Sequence, residues 1–345
     1  MKQKQEIHQR TKRRQAWAAL ALLVGGLGLL VALAAFSVTR GASDIPVSTT
    51  FEALFRFNPQ NNHHLIILDL RLPRVVASAL VGAAFAVAGA VMQGVTRNPL
   101  ADSGLMGLNA GAGFALAVSF AFFPSLSYLQ IILICFTGAG LGAAMVMGIA
   151  SLRRGGATPM SLILAGAAVS ALLTALSQGI ALCFDVSQDM MFWTVGGVSA
   201  SKWDQVAMMV PFLLAALACA VAISKQISIV SLGEEVAKGL GTNIKLVNAI
   251  CAGIVVVLAG ISVSVVGAVG FIGLIIPHIV RFLVGADYRL IVPASAVLGS
   301  LLMVAADLGA RTINPPAEIP VGAIIAIIGV PVFLYLARKQ RRSAS

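Results

Sequence analysis

Few side chains in this 345-residue chain could do chemistry, and their spacing argues against a catalyst. Cys135, Cys183, Cys219 and Cys251 are scattered through apolar runs without paired spacing. They outline neither a disulfide framework nor a metal site and read as small core residues. His63-His64 could bind a metal, but no third ligand stands at helical or hairpin spacing, so the pair reads as exposed loop residues. The Gly-x-x-x-x-Gly-Lys-Ser/Thr phosphate loop does not occur, nor does a Ser-His-Asp or dinucleotide-binding pattern, so no catalytic residue is expected and ATP hydrolysis by that route is excluded. The acids Asp102, Asp185, Asp189, Asp204, Asp287, Asp307 and Glu318 fall at the ends of apolar runs or between them. Ion-coupled carriers usually hold an acid near the bilayer midplane, so that class is the weaker reading.

One polar stretch has its own start and stop signals: Ser231-Leu-Gly-Glu-Glu-Val-Ala-Lys-Gly-Leu-Gly241. Ser231 followed three residues later by Glu234 is a capping-box pattern that predicts a short helix beginning there. Glu234 and Glu235 suit the positive end of its dipole and Lys238 the negative end, while Gly239 or Gly241 supplies the left-handed stop. Leu232, Val236, Ala237 and Leu240 leave one side apolar. The stretch reads either as a docking surface for another protein or as a well-capped solvated turn.

The elements that must position these residues are membrane spans. The chain is 59% hydrophobic and 11% charged, which no soluble fold requires, and 34 glycines suit close helix packing in lipid. Ten apolar spans are expected, at about 17–38, 75–95, 104–123, 128–150, 160–183, 206–223, 246–266, 269–284, 290–307 and 319–337. The first is too long for a signal-peptide core and lacks a cleavage site, so it reads as retained. The interval 39–74 reads as a long polar outer loop. All but six of the 24 Lys and Arg residues fall on the side of the termini; the exceptions are Arg40, Arg56, Arg71, Arg74, Lys202 and Arg311. That asymmetry places both termini and the 231–241 stretch in the cytoplasm, and it explains the net charge of +11 without nucleic acid. The expected organisation is a basic N-terminus at 1–16, a single all-α transmembrane domain at 17–338 and a cytoplasmic tail at 339–345. Leu80, Gly82, Gly89, Ala90, Val91 and Pro99 recur at one constant offset as Leu258, Gly260, Gly267, Ala268, Val269 and Pro277. The two segments belong to oppositely directed spans, an inverted-repeat plan frequent in transporters.

Several motifs in order resemble the FecCD-type permeases of ATP-binding-cassette importers for ferric siderophores, haem and cobalamin. They are Leu70-Arg-Leu-Pro-Arg74; Gln93 with Arg97-Asn-Pro-Leu-Ala101; Leu232-Gly-Glu-Glu with Leu240-Gly241; Gly270-Phe-Ile-Gly-Leu-Ile-Ile-Pro-His278 with Arg281; Ala306-Asp307 with Arg311; and Glu318-Ile-Pro320. The resemblance implies ten helices in a type II importer fold and a permease in a bacterial cytoplasmic membrane. It also implies a second permease subunit (a copy or a paralogue), two separate ATPase subunits that use ATP and Mg, and an extracytoplasmic substrate-binding protein. Ser231, Leu232, Gly233, Glu234, Glu235, Lys238 and Gly241 would form the coupling helix that enters the ATPase. Arg71, Arg74 and Arg311 would meet acidic residues of the binding protein; interfacial anchoring for the first two, and an internal bond from Arg311 to Asp307 or Glu318, are the rival readings. Asn98 and Leu100 match the cytoplasmic gate, although Asn98-Pro99 also suits a simple helix end. A second gate segment falls near Thr158-Pro159-Met160, where Pro and Met stand in place of small hydroxyl residues. No cofactor or metal is expected on this chain, and His278 reads as a packing residue. Ferric siderophore is the expected cargo, with haem or cobalamin as the alternative.

Overall fold

Inside lipid a helix satisfies its backbone polar groups within the segment, so apolar runs of membrane length become helices. The computed structural model describes residues 2–41, 45–152, 159–315 and 317–344, with side chains from within 14–335, and its described residues form helices and connections without strands. In chain order the helices are α1 (Lys2–Thr39), α2 (Val47–Phe55), α3 (Asn62–Leu65), α4 (Leu72–Thr96), α5 (Leu108–Phe122), α6 (Tyr128–Ser151) and α7 (Pro159–Cys183). There follow α8 (Ser187–Gly196), α9 (Trp203–Ala222), α10 (Ser224–Ser231), α11 (Glu234–Gly239), α12 (Ile244–Val266), α13 (Ile272–Val284), α14 (Tyr288–Thr312) and α15 (Val321–Ala344). Among the described residues seven helices are long and apolar enough to cross a membrane, and α5, α13 and the Val321–Tyr335 part of α15 are shorter apolar helices. Together they account for the ten expected spans.

Two boundaries differ from expectation. The interval 39–74 is largely helical: α2 lies within it, and α3 continues through a π turn at Ile66–Arg71 into α4, giving one helix over Asn62–Thr96. Polar composition concealed this helix because its first turns lie at the end of the bundle. His64 sits in it buried, its Nδ1 accepting from the Asn58 N–H at 3.1 Å, while His63 is exposed. The eighth span starts at Ile272, because Gly267 and Phe271 take left-handed φ values of 78° and 68° and break the helical path. The cysteines also divide: Cys135 and Cys251 are buried, whereas Cys183 and Cys219 lie on exposed faces.

Helix α4 is the centre of the bundle, with 83% of its most apolar window buried, against 6% for α1. Small residues permit this. At Gly82 a Cβ would overlap the Gly299 carbonyl of α14, and at Gly89 it would overlap Gly273 of α13, so both crossings bring backbones into direct contact. Val91, Met92 and Val95, near the end of α4, share a cavity with Asn248 and Cys251, near the start of α12. The two helices that carry the repeated residues therefore run in opposite directions. Their register parts at Gly89 and Gly267, where the first continues a helix and the second ends one.

Inside α13, Pro277 has no N–H to give to the Gly273 carbonyl one turn earlier. The Gln93 side chain of α4 replaces it: its Nε2 donates to Gly273 O at 3.0 Å, and its Oε1 accepts from Arg281 at 3.0 Å. Gln93 is buried, so the exchange satisfies a carbonyl that water could not reach.

Candidate functional sites at the two ends of the bundle

The Arg97 end holds the 231–241 stretch. Ser231 does not begin its helix. It is the last residue of α10, and its hydroxyl donates to the Ser228 carbonyl at 2.7 Å. The expected capping box is therefore absent, and Gly233, at φ 118° and ψ 155°, opens α11 without a side-chain cap. Glu234 instead accepts from Arg97 at 3.2 Å and lies 4.0 Å from Lys238. Gly241, at φ 73°, supplies the stop, with its N–H on the Lys238 carbonyl and that of Thr242 on Ala237. Ala237 alone in α11 is buried. Leu232, Val236 and Leu240, four residues apart, are 68%, 47% and 62% exposed.

Arg97 closes α4 in a left-handed conformation, φ 54°, which is uncommon for a residue with a side chain. Directly after it, the Asn98 side chain accepts from Leu100 N–H at 3.0 Å and its carbonyl accepts from Ala101 N–H at 3.1 Å, folding a tight turn around Pro99. A cavity of about 370 Å³ lies behind this turn, lined by Met92, Asn98, Met147, Leu162, Glu234 and Asn248. The ion pair thus joins the helix proposed for coupling to the turn proposed as a gate, a link no sequence spacing signals. Of Thr158-Pro159-Met160, Thr158 and the side chain of Pro159 lie outside the described residues.

Ser228 is a second residue missed from sequence. It accepts from the Tyr288 N–H at 2.9 Å and donates to Asp287 at 3.3 Å, tying α10 to the start of α14. Hydrogen bonds from Arg289 hold the Asp287 carboxyl below the usual carboxylate range.

At the opposite end lie Arg71, Arg74 and Arg311, which the sequence assigns to one side, but all three turn inward: they are 7%, 8% and 4% exposed. Arg74 bonds Asp307 at 2.8 Å and Glu318 at 2.8 Å. Arg311 lies 3.4 Å from the other Asp307 oxygen and donates to Ser37 and to the Arg40 carbonyl, while Arg71 donates to the Val38 carbonyl at 2.8 Å. Cations presented at the surface are therefore not what this geometry offers, and the internal partner expected as the rival for Arg311 is present. Asp307, placed at a span end from sequence, is fully buried inside α14, where burial is tolerable because two guanidiniums face it. Glu318 is the exposed member, its side chain 43% accessible, at the edge of a cavity of about 550 Å³. Among the described residues no three His, Cys, Asp or Glu side chains gather as a metal site.

Seven apolar helices of membrane length and three shorter ones, with one polar cluster at each end of the bundle, define a multi-pass helical membrane protein. Residues 29–339 match the FecCD transport family, and the chain belongs to that family, the permease component of ABC importers. It is 50% identical over 328 residues to the iron(3+)-hydroxamate import system permease protein FhuB of Bacillus subtilis (strain 168), covering 95% of this chain and 85% of the relative. It is 38% identical to the ferric enterobactin transport system permease protein FepD of Escherichia coli (strain K12), covering 94% and 97%. A metal-chelate type ABC transporter solved in an inward-facing conformation superposes with a TM-score of 0.80 at 27% identity, over 92% of this chain and 98% of that one.

Proposed function

We propose that this permease carries a ferric siderophore into a bacterial cell, delivered by an extracytoplasmic binding protein and driven by two separate ATPase subunits. The chain works with a second permease subunit, and its 17–338 domain lies in the cytoplasmic membrane with both termini in the cytoplasm. The observation that carries the coupling assignment is the set of exposed apolar side chains at a short helix between spans: Val236 on α11, with Leu232 just before it and Leu240 just after it. Such a set costs free energy in water and gains it in a cleft of a partner. Ser231, Leu232, Gly233, Glu234, Glu235, Lys238 and Gly241 form the segment that enters the ATPase. Asn98 and Leu100 act as the gate, and the Arg97–Glu234 pair transmits displacement from one to the other. At the outer end Arg71, Arg74 and Arg311 hold the frame on which the binding protein sits, with Glu318 at its accessible edge.

Ferric hydroxamate is the first cargo to test, because the FhuB name supports it. In sealed vesicles containing the assembled transporter, uptake should require both ATP and the binding protein. Uptake driven by a proton gradient alone would overturn the reading in favour of a secondary carrier.

A further inference from the structure

Helix α2 takes no part in the sites described above, yet its surface is unusual. Thr50 and Ala53 are buried against the protein, and Ser48, Glu52 and Arg56 form a polar side. The remaining face is Val47, Phe51, Leu54 and Phe55, exposed at 60%, 61%, 47% and 78%. Phe51 and Phe55 stack on one another with centroids 6.1 Å apart rather than against the bundle.

Two neighbours fix its depth. Helix α1, upstream, is an apolar helix of membrane length that is little buried, and near its end lies exposed Phe36, over whose ring the Arg40 guanidinium lies at 5.5 Å. An arginine reaching out from an apolar stem in this way marks the edge of the hydrocarbon. The chain then returns at once, the Ile45 N–H bonding the Thr39 carbonyl at 3.0 Å, so α2 starts at that same level. Downstream, α2 packs beside the π turn Ile66–Arg71, whose Leu68 carbonyl accepts from the Trp203 indole at 2.7 Å. Trp203 is 42% exposed, and tryptophan belongs at the membrane–water boundary.

We propose that α2 is an interfacial anchor whose Val47, Phe51, Leu54 and Phe55 face inserts at the headgroup–acyl boundary of the leaflet at the Arg74 end. The Ile45–Thr39 bond holds the start of α2 beside the end of α1, an apolar helix of membrane length that is itself little buried, and this placement favours lipid over a protein partner. Glu52 and Arg56 cancel, so attachment is apolar and insensitive to salt. By holding α2, the lipid surface steadies the π turn from which Arg71 projects.

The test uses the full chain in phospholipid vesicles, with exposed Cys183 and Cys219 changed to Ser and bimane attached to Phe51→Cys, Phe55→Cys or Glu52→Cys. Changing Phe51 or Phe55 removes the stacking of these two exposed rings on each other, and two reporters one turn apart guard against that local effect. Phospholipids brominated high in the acyl chain should quench most of the emission from positions 51 and 55, at low and high salt alike, and much less from 52. Equal quenching at all three positions, or none, overturns the proposal. So does emission at 51 and 55 that stays water-like in lipid and shifts only when the binding protein is added, which would make the face a protein-docking surface.

Discussion

Pro277 and Gln93 are an exchange of one amide for another. Proline in the interior of α13 leaves the Gly273 carbonyl without its helical donor, and a side chain from α4 supplies the bond. Replacing Gln93 by Leu strands that carbonyl and removes a partner of Arg281, and should cost about 1–3 kcal/mol. Restoring the backbone donor with Pro277→Ala should recover part of the loss, because the residue 277 N–H can then take the carbonyl. Thermal unfolding of the two single variants and the double variant measures this as a coupling energy. Strict additivity of the two changes would mean that Gln93 serves some other purpose. Both residues stood in the sequence motifs, but linear spacing does not disclose that they face each other, since helical period fixes a residue's angle on its own helix and nothing about the neighbour.

At the scale of elements, α11 depends on glycine at both ends. Gly233 has backbone angles that are essentially reserved for glycine, and Gly241 is left-handed. A Cβ at either position meets no neighbour, so strain rather than collision decides the outcome. Gly233→Ala should cost about 1–3 kcal/mol locally and Gly241→Ala about 1–2 kcal/mol. Because α11 buries only Ala237 and is otherwise tied to the bundle by the exposed Arg97–Glu234 pair, this loss should appear as weaker ATPase binding with little change in the unfolding temperature of the whole chain. The opposite pattern would show that α11 is part of the structural core. The existence of this helix and of all ten spans was legible, because hydropathy and glycine placement act locally. Its start was not. Ser231-x-x-Glu234 satisfies the capping pattern, but the preceding helix α10 persists through Ser231 by burying Ile227 and Val230, a tertiary contribution that local sequence does not carry. The same reason hid the helical course of 62–71, and it explains why three arginines read as surface cations are buried: Asp307 and Glu318 meet Arg74 from 233 and 244 residues away, and Arg71 and Arg311 bond groups at the end of α1.

Across the whole molecule, α4 is the member that touches both ends. Arg74 in its first turn carries the buried network with Asp307 and Glu318, and Arg97, directly after its last residue, carries the bridge to Glu234. Between them the helix is packed backbone to backbone against α13 and α14, so it is poorly suited to bending and well suited to moving as a unit. The two end contacts differ in strength. The network at Arg74 is buried, whereas the bridge at Arg97 joins side chains 39% and 53% exposed and is worth about 0.2–1 kcal/mol. A contact of that size can be remade in each transport cycle, and losing it shifts a two-state equilibrium by at most about fivefold. Glu234→Gln and Arg97→Gln should therefore leave membrane insertion and unfolding temperature nearly unchanged while lowering cargo moved per ATP hydrolysed by up to about fivefold. The charge exchange, Arg97→Glu with Glu234→Arg, should recover most of that yield if the bridge itself transmits the motion. Arg97→Gly separates the remaining possibility, since it relieves the left-handed backbone and removes the charge together. A yield as low as that of Arg97→Gln assigns the effect to the ion pair, and a normal yield assigns it to backbone strain at the end of α4.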